Sequence, residues 1–457
     1  IGGTVNNDGS LTVQVTKTGK ETAVAQMMEF ILQAQESKPP VQKLADKAAR
    51  LLTYTAVGVG SLTFLYWFFV NPQGAAPAVF ASTLAISVIV IACPHALGLA
   101  IPTVTTITTG LAARNGILIR DMKAIEVARK LSYVVFDKTG TLTEGRFGVN
   151  AIVPLLNTSE ELILQYAAAV EFHSQHSIAQ GIIKEAKRRN ISFHLAEHFQ
   201  SFPGKGATGK VEGKVIFVGT EALMEEHGIT ADKGNQQAEG TVSIQDMLKE
   251  DKTFVWIGEG KNLLGVIALE DVIREEARIA INGLKEMGVT TAMLTGDNQI
   301  IADSVADRLG IDTVFAQVLP ADKVNKVKEL QEQGNIVAMV GDGVNDAASL
   351  AQANVGIAIG AGTDVAVELA EIVLVKNDLR DVVKAIKLSK KTNGKMKQNL
   401  AWAAGYNIIA IPVAAGILFS FGILFRPEWA ALLMSASSVI VVFNALLLKR
   451  ETLDETG

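Results

Sequence analysis

The sequence has almost no cysteine, no leader pattern and little net charge. Cys93 is the only cysteine among 457 residues, so no disulfide can form within the chain and the redox compartment cannot be inferred. The first residues, IGGTVNNDGS, include neither Met nor the charged and then apolar pattern of a signal peptide, so we take the chain to be a fragment. A net charge of -5 without a strongly basic stretch predicts no nucleic-acid partner.

Apolar residues, in contrast, make up 49% of the chain and are concentrated in a few blocks. Four segments are long enough to cross a bilayer, which takes roughly 20 apolar residues. They form two hairpins, 51–70 with 79–101 and 400–420 with 429–448. Basic residues flank the outer ends of both hairpins, whereas the connecting turns hold only Arg426. The positive-inside rule therefore places the turns outside and the region between the hairpins in the cytoplasm.

The region between the hairpins, about 102–395, alternates short β-branched runs with helical patterns. This alternation is typical of a parallel, doubly wound sheet, in which the chemistry takes place beyond the carboxyl ends of the strands. Three of the predicted strands end in an acidic residue, namely Asp137, Asp297 and Asp342. About 150 residues with a different pattern separate the first two of these strands, which predicts an inserted domain.

Asp137 ends a hydrophobic strand and begins the string DKTGTLT, residues 137–143. A carboxylate at a strand end suits nucleophilic attack on a phosphoryl group, and the backbone N–H groups of a Gly-containing turn can cradle the phosphate oxygens. A turn-forming Asp is the ordinary explanation of a single acidic residue at this point. Seven specific residues in register make that explanation inadequate, so we predict that Asp137 is a nucleophile.

This string resembles the signature of the P-type ATPases, DKTGT followed by Leu-Thr, and the resemblance covers essentially the whole chain. It implies that Asp137 takes the γ-phosphoryl group of ATP to form an aspartyl phosphate. Phosphatases of the same fold usually carry a second Asp, their general acid and base, where this chain has Thr139. The acyl phosphate is therefore expected to survive long enough to drive a conformational cycle.

The resemblance also implies the rest of the phosphorylation site. The family holds the phosphoryl group with a Thr hydroxyl that matches Thr295 and neutralises its charge with a lysine that matches Lys323. In GDGVND, residues 341–346, Asp342 is an expected Mg²⁺ ligand together with Asp137 and Thr139, and hard Mg²⁺ prefers such oxygen ligands. The expected catalytic residues are Asp137, Lys138, Thr139, Thr295, Lys323 and Asp346.

The predicted insertion, about 146–265, has no Walker-type glycine loop, so generic ATP motifs give no information. Heavy-metal P-type ATPases carry a Glu, then Ser-Glu-His-Pro, then Gly-x-Gly in this domain. Ser177 stands where the family has the Pro after the His, which leaves the local helix geometry open. The nucleotide-binding residues implied by the match are Glu171, His176, Gly204, Gly206 and Gly219.

Cys93, Pro94 and His95 lie inside the second predicted span. Proline in a membrane helix frees a backbone carbonyl and unwinds a turn, and a thiolate with an imidazole at such a break forms a metal-binding pair. Heavy-metal P-type ATPases carry Cys-Pro-Cys, Cys-Pro-His or Ser-Pro-Cys here, and Cys-Pro-His resembles the copper and silver subgroup. Thiolate favours Cu(I) or Ag(I) and imidazole also accepts Cu(II) or Zn(II), so the oxidation state stays open.

The second hairpin resembles the same subgroup through Asn399, Tyr406-Asn407 and Pro412, and through Pro427 followed by MSASSV at 434–439. Ser438 stands where the subgroup usually has Thr, and both side chains carry a hydroxyl. The residues expected to bind the transported ion are Cys93, His95, Tyr406, Asn407, Met434 and Ser437.

The resemblance implies a multi-domain membrane protein. An α-helical transmembrane bundle is expected with a cytoplasmic, haloacid-dehalogenase-like α/β phosphorylation domain and an inserted α+β nucleotide-binding domain. The expected segments are an actuator-domain tail (1–36), the first hairpin (46–101), a linker with the first part of the phosphorylation domain (102–145), the nucleotide-binding domain (146–265), the second part of the phosphorylation domain (266–390) and the last hairpin (396–449). The actuator string Thr-Gly-Glu-Ser is absent, so this fragment is expected to accept phosphate without completing transport.

The implied function is ATP-driven export of copper, as Cu(I) or Cu(II), or of Ag(I), with ATP and Mg²⁺ as cofactors. The protein is expected in the plasma membrane, with the bilayer, ATP and a copper or silver ion delivered by a metallochaperone as partners. A pump for Zn(II) or Co(II) is one alternative, which Asp or Glu in the spans would favour; none occurs in 51–101 or 400–420. A membrane-tethered phosphatase is the other alternative, and Thr139 and the large insertion disfavour it.

Overall fold

The computed structural model describes residues 39–70, 76–155, 158–172, 174, 177–202, 205–229, 253–319, 322–342, 346–360 and 369–453, with the single positions 18 and 25. Contacts within the chain define two compact units. The first unit comprises Ile1–Val134, Glu286–Val289 and Val327–Gly457, and the second comprises Val135–Lys285 and Thr290–Lys326. Nearly all of the predicted actuator tail, 1–36, lies outside the described residues.

The α-helices of the described residues are numbered in chain order. They are α1 Pro40–Phe69, α2 Pro77–Ile91, α3 His95–Arg114, α4 Met122–Ala128, α5 Glu160–Glu171, α6 Ser177–Arg188, α7 Glu221–Glu226, α8 Glu275–Glu286, α9 Gln299–Leu309, α10 Lys323–Glu332, α11 Ala347–Gln352, α12 Arg380–Ala414 and α13 Pro427–Leu446.

The strands are numbered in the same way. They are β1 Ile117–Ile119, β2 Tyr133–Asp137, β3 Thr143–Pro154, β4 Glu197–Phe202, β5 Gly206–Val211, β6 Lys214–Gly219, β7 Thr253–Glu259, β8 Asn262–Ile273, β9 Thr290–Leu294, β10 Thr313–Phe315, β11 Val337–Gly341, β12 Val355–Ile359 and β13 Ile372–Leu374.

The first unit contains the long apolar helices. Within the described residues, three helical segments are long and apolar enough to cross a membrane: Pro40–Phe69, Pro77–Arg114 and Pro427–Arg450. The fourth predicted span, 400–420, belongs to α12, a single 35-residue helix whose apolar part ends at Ala414. Its polar part packs inside the same unit, where the hydroxyls of Thr392 and Thr108 are 3.0 Å apart.

Pro94 interrupts the second predicted span, as the sequence predicts. Helix α2 ends at Ile91 and α3 begins at His95, with Pro94 at the N-cap position. The ring removes a backbone donor and fixes φ, which disfavours a regular helix at this point. Cys93 therefore lies on a short non-helical connection between two apolar helices. Pro102 and Pro412, in contrast, lie inside the continuous helices α3 and α12.

The first unit also contains strands in the order β1-β13-β12-β11. Strands β11, β12 and β13 run parallel, whereas β1 is antiparallel to β13. Their residues are almost continuously apolar and buried, as expected for strands covered on both faces. Strand β2 passes from the first unit into the second between Val134 and Val135.

In the second unit, β2 is followed by β9 and β10, and the last two strands are parallel. The chain between β2 and β9 forms a six-stranded antiparallel sheet with the order β3-β8-β7-β6-β5-β4. Helices α5 and α6 cover it, and their apolar residues form one buried core with the sheet. This sheet includes residues from Thr143 to Ile273, so it extends beyond both ends of the predicted insertion.

Candidate functional site

Strand β2 carries Asp137 to its carboxyl end. The preceding residues Val134, Val135 and Phe136 are fully buried, and Asp137 itself is only 6% exposed. The Lys323 ammonium, at the start of α10, donates a hydrogen bond to Asp137 Oδ1 over 2.5 Å. Both side chains are buried, and each compensates the charge of the other, so removal of either one would leave an uncompensated buried charge. The structure thus brings together two predicted catalytic residues 186 positions apart.

The chain after Asp137 makes a tight turn over residues 138–142. Gly140 has a φ of +75°, in the left-handed region that favours glycine. Thr143 closes the turn, since its hydroxyl accepts from the Gly140 N–H over 3.2 Å and donates to the Lys138 carbonyl over 3.0 Å. The same oxygen lies 2.6 Å from Asp271 Oδ2, at the end of β8. A side chain from the strand that returns from the insertion therefore reaches the turn behind the nucleophile.

Arg274 contacts this turn through both its side chain and its backbone. Its Nε donates to the Thr141 and Thr143 carbonyls over 2.9 and 3.0 Å, and its Nη2 donates to the Gly140 carbonyl over 3.0 Å. Its backbone N–H donates to the Leu142 carbonyl over 3.0 Å. Neither Arg274 nor Asp271 is among the residues predicted from the sequence. The available signal was the Asp-x-x-Arg spacing at the end of the apolar run ALEDVIR.

Thr295 and Lys138 meet at Asp297, which follows β9. The Lys138 ammonium forms an ion pair with the Asp297 carboxylate. The Thr295 hydroxyl donates to Asp297 Oδ2 over 2.9 Å and accepts from the Asp297 N–H over 3.1 Å. Asp297 was predicted only as an acidic residue at a strand end, without a role in the site. Thr139, in contrast, is exposed on the turn.

A cavity of about 650 Å³ lies beside these groups within the second unit. Its walls include Lys138, Thr139, Thr143, Asp271 and Asp297. Cavities of this size hold small-molecule ligands, and one bordered by a lysine and hydroxyls can receive a phosphorylated compound. Burial raises the pKa of the Asp271 carboxyl, although the Thr143 hydrogen bond and the Lys138 charge act in the opposite direction.

The predicted residues Asp342 and Asp346 belong to the first unit. Asp342 follows β11 and is half-buried, whereas Asp346 is 1% exposed and stands at the N-cap position of α11. A Cβ on Gly341 would lie 2.7 Å from Asp346 Oδ2, so only glycine lets the carboxylate approach the end of β11 this closely. Residues 343–345 lie outside the described residues.

The predicted nucleotide residues Glu171, Gly206 and Gly219 border one cavity of about 400 Å³ in the inserted sheet. Gly206 pairs with Gly219 across β5 and β6. A Cβ on Gly219 would lie 2.2 Å from the Lys205 carbonyl oxygen, so these glycines are needed for the strand pairing that forms the pocket wall. His176 and Gly204 lie outside the described residues.

The same pocket also has apolar and cationic walls. Phe199, Phe202 and Phe254 line it together with Lys205, whose ammonium pairs with Glu226. Aromatic rings beside a buried carboxylate are suited to a flat, polar-edged ligand such as a nucleobase. Aromatic residues on strands do not indicate a nucleotide site in a sequence, because they are ordinarily core residues.

Of the predicted ion residues, Cys93 and His95 lie at the break between α2 and α3, and Tyr406 contacts the end of α2. Cys93 is half-buried, and His95 Nδ1 lies 3.3 Å from the Ser438 hydroxyl. Ser438 also donates to the Met434 carbonyl over 3.3 Å. On α12, the Tyr406 hydroxyl donates to the Ile91 carbonyl over 3.1 Å.

Two further residues predicted to bind the ion are buried, Asn407 at 2% exposure and Ser437 at 9%. The Asn407 amide donates to the Ala403 carbonyl, and its Oδ1 has no hydrogen-bond partner among the described residues. The described part of the chain holds no group of three or more His, Cys, Asp or Glu side chains suited to a metal ion.

Comparison with known proteins agrees with this arrangement. Residues 131–354 match the model of the haloacid dehalogenase-like hydrolases. The chain is 52% identical over 449 residues to a copper-exporting P-type ATPase B of Archaeoglobus fulgidus, with 98% of the chain and 63% of that protein covered. It is 40% identical over 452 residues to a probable copper-transporting P-type ATPase B of Staphylococcus aureus, with 98% and 65% covered.

A solved structure of a zinc-transporting PIB-type ATPase in the E2.Pi state superposes with a TM-score of 0.74 at 33% identity. That match covers 95% of this chain and 68% of the transporter, whereas the chain spans less than two thirds of the two copper-named relatives. The fold class and the family predicted from DKTGTLT and Cys-Pro-His are thereby confirmed. The chain belongs to the heavy-metal-transporting, PIB-type branch of the P-type ATPases.

Proposed function

We propose that the protein containing this chain exports copper across a membrane, driven by ATP hydrolysis through an aspartyl phosphate on Asp137. The observation that carries the proposal is the buried Asp137 carboxylate at the end of β2, ion-paired with Lys323, in a chain of this family. The curated relatives named for copper are 40% and 52% identical, whereas the solved structure named for zinc is 33% identical. This difference favours copper over zinc.

In the proposed reaction, a carboxylate oxygen of Asp137 attacks the γ-phosphorus of ATP, the bond to the bridging oxygen breaks, and ADP leaves. Lys323 neutralises charge on the transferred group, which requires its ammonium to shift from Asp137 Oδ1 toward the phosphoryl oxygens. Thr295 supplies a hydroxyl to the phosphoryl group, and Lys138 supplies a second cation beside it. Thr139 cannot act as a general base, so rapid hydrolysis of the aspartyl phosphate is not expected from this turn.

Further residues are proposed to bind Mg²⁺ and the nucleotide. Asp137, Asp342 and the Thr139 position offer the oxygen donors that Mg²⁺ prefers, and the ion would neutralise charge on the phosphates. Asp346 is proposed to orient this site from the first turn of α11. The nucleotide is proposed to bind in the pocket of the inserted sheet through Glu171, His176, Gly204, Gly206 and Gly219.

The proposed ion site is the break in the second membrane segment. Cys93 and His95 are proposed as the central ligands, because a thiolate and an imidazole are both soft enough for copper. Tyr406, Asn407, Met434 and Ser437 complete the proposed site. The cargo is Cu(I), Cu(II) or Ag(I), which a metallochaperone would deliver.

The proposed setting is the plasma membrane, with both turns of the hairpins outside and the phosphorylation and nucleotide units in the cytoplasm. The asymmetry of the basic residues that flank the hairpins supports this orientation. The large share of exposed apolar side chains on α1 and α13 supports a lipid environment for the helices.

Labelling with radioactive ATP tests the function. The full-length protein is incubated with Mg²⁺, labelled ATP and in turn Cu(I), Cu(II), Ag(I), Zn(II) and Co(II), with Asp137→Asn as the control. We expect an acid-stable phosphoprotein with copper or silver alone, and none in the variant. Equal labelling with every metal would contradict the copper assignment, and labelling of Asp137→Asn would contradict the nucleophile.

A further inference from the structure

The last turn of α13 and the chain that follows it are bonded to one face of α12. Lys391, Lys395 and Asn399 follow one another at four-residue intervals on α12, so their side chains share a face. The Lys391 ammonium donates to Glu451 Oε2 over 2.5 Å. The Lys395 ammonium donates to Asn444 Oδ1, on α13, over 3.1 Å. From the first to the third of these residues, α12 advances by about 12 Å, at about 1.5 Å per residue.

Asn399 joins a third helix to this contact. It is fully buried, and its Oδ1 accepts from the Asn444 amide over 2.8 Å. Its own amide donates to the Ala100 carbonyl of α3 over 3.1 Å. Buried amides are found with hydrogen-bond partners, and such bonds between apolar helices hold the helices together. Helices α3, α12 and α13 are therefore fastened to one another at Asn399.

The chain beyond α13 packs against the same helices. It forms a short 3₁₀ helix, Leu447–Arg450, that contacts α3 and α12. Leu448 and Leu453 are buried, and the Thr452 carbonyl accepts from the Lys391 ammonium over 3.4 Å. Burial of these apolar side chains adds to the hydrogen bonds, so the described chain after α13 is part of the contact.

The preceding part of α12 is held by other elements of the same unit. Val382 is fully buried, and the Ser389 hydroxyl and the Asn393 amide both donate to the Ile125 carbonyl of α4. Helix α4 in turn contacts β1 and β12. Because α12 is one continuous helix, Arg380–Ala414, it connects the neighbourhood of these strands directly to the end of α13.

We propose that Lys391, Lys395 and Asn399 form a clasp that makes α13 move together with α12. A displacement of the strands during the catalytic cycle then reaches α13, the helix that carries Met434 and Ser437. The three clasp residues are positioning residues, since they act through α13 and not on a substrate. Lysines that only mark the cytoplasmic side need no particular partner, whereas these two are bonded to α13 and the chain after it. The inference rests on the proposed function, because the coupled step is transport.

Cross-linking of the full-length protein tests whether the clasp exists. Lys391→Cys is combined with Glu451→Cys and treated with a short bifunctional methanethiosulfonate, without metal or nucleotide, and linked peptides are measured by mass spectrometry. The matched control combines Lys397→Cys with Glu451→Cys, because Lys397 is exposed and lies on a different face of α12. We expect at least about ten-fold more linking in the first pair, since its two thiols are held close together. Equal linking in both pairs would overturn the clasp, whatever ion the protein carries.

The same cross-link tests whether α13 moves with α12. ATP-driven copper uptake into inside-out vesicles is measured before linking, after linking and after reduction of the link. A link within one rigid body does not oppose its motion, so we expect at least about half of the transport rate to remain. Transport that is lost on linking and restored on reduction would show that the two helices separate during the cycle, and it would overturn the inference.

Removal of the clasp should uncouple phosphorylation from transport. In Lys395→Met and in Asn444→Leu we expect phosphoprotein from labelled ATP within about two-fold of the wild type and copper transport at least about ten-fold lower, the usual size of a coupling between sites. Lys395→Arg keeps N–H donors for Asn444 and should restore transport, and Lys397→Met should change neither quantity. Equal losses of phosphorylation and transport, or no loss of either, would contradict the clasp. If Asn444→Leu does not fold, Lys395→Met and the cross-link still decide the question.

Discussion

Arg274 and Asp271 act on the turn behind the nucleophile and not on the nucleophile itself. Arg274 donates to the carbonyls of Gly140, Thr141 and Thr143. Each such hydrogen bond contributes about 1 kcal/mol, and more where the donor is charged. Several bonds from one guanidinium are therefore enough to fix the turn in one conformation, and with it the direction of the Asp137 carboxylate.

Replacement of Arg274 should reduce phosphorylation and leave nucleotide binding nearly unchanged. In Arg274→Met we expect phosphoprotein formation from labelled ATP to fall at least about ten-fold, because misplacement of a nucleophile by a fraction of an ångström has effects of this size. Nucleotide affinity should stay within about two-fold, since the pocket of the inserted sheet is built from other residues. Arg188→Met, which breaks an exposed surface pair with Glu185, is the control. Equal losses of phosphorylation and of nucleotide affinity would contradict the account.

The pH dependence of the turn follows from Asp271. Burial raises its pKa above the ordinary 3.8, so the folded state binds this proton more tightly than the unfolded chain. Its contribution to stability is complete below the ordinary pKa and is lost as the pH rises through the raised pKa. In Asp271→Asn, which is neutral throughout, protection of β3 and β8 from hydrogen exchange should vary less between about pH 4 and pH 7. If protection changes with pH equally in the variant and the wild type, after correction for intrinsic exchange, a group other than Asp271 causes the change.

Among the secondary-structure elements, the sequence predicts the features that depend on residues close to one another in the chain. Strand β2 is evident from its β-branched residues and its terminal Asp, and the break at Pro94 follows from the missing backbone donor. The polar start of α12 predicts a cytoplasmic segment, and its apolar end predicts a membrane span. In the structure both parts belong to one helix, Arg380–Ala414.

Long-range contacts account for what the sequence does not show. The partners of Arg274 are more than 130 positions away from it, and the Tyr406 hydroxyl meets a carbonyl 315 positions away. Periodicity and propensity describe neighbours within one helical turn or one strand, so they predict neither of these two contacts. Gly206 and Gly219 were implied by the family match alone, and the structure gives them a physical role, which is the close pairing of β5 with β6.

This pairing predicts the behaviour of Gly219. A Cβ there would lie 2.2 Å from the Lys205 carbonyl oxygen, so Gly219→Ala must push β5 away from β6. We expect a loss of roughly 1–3 kcal/mol in stability and at least about ten-fold weaker binding of a fluorescent ATP analogue. The control is Gly213→Asn, at the turn between the same strands, where no atom lies within 4 Å of the added Cβ and Asn tolerates the positive φ. Undiminished binding in Gly219→Ala would show that the pocket does not depend on this pairing.

For the whole molecule, the first unit combines the apolar helices with part of the parallel sheet, and the second unit holds the nucleophile. Apolar helices and the Cys-Pro-His break belong to the first unit, and Asp137, Lys323 and the inserted sheet belong to the second. The overall plan and the family were predictable because DKTGTLT and Cys-Pro-His are specific strings, each tied to one kind of chemistry. The choice of cargo is less predictable, since one thiolate and one imidazole suit more than one metal.

Transport by the full-length protein in sealed, inside-out vesicles tests the central claim most directly. Vesicles are supplied with Mg²⁺, ATP and either Cu(I) or Zn(II), and the metal that accumulates inside is measured over time. We predict ATP-dependent accumulation of copper at a rate at least about ten-fold above that of zinc, with none in Asp137→Asn and none in Cys93→Ser. Accumulation of zinc at the same rate as copper, or accumulation of copper by Asp137→Asn, would contradict the account.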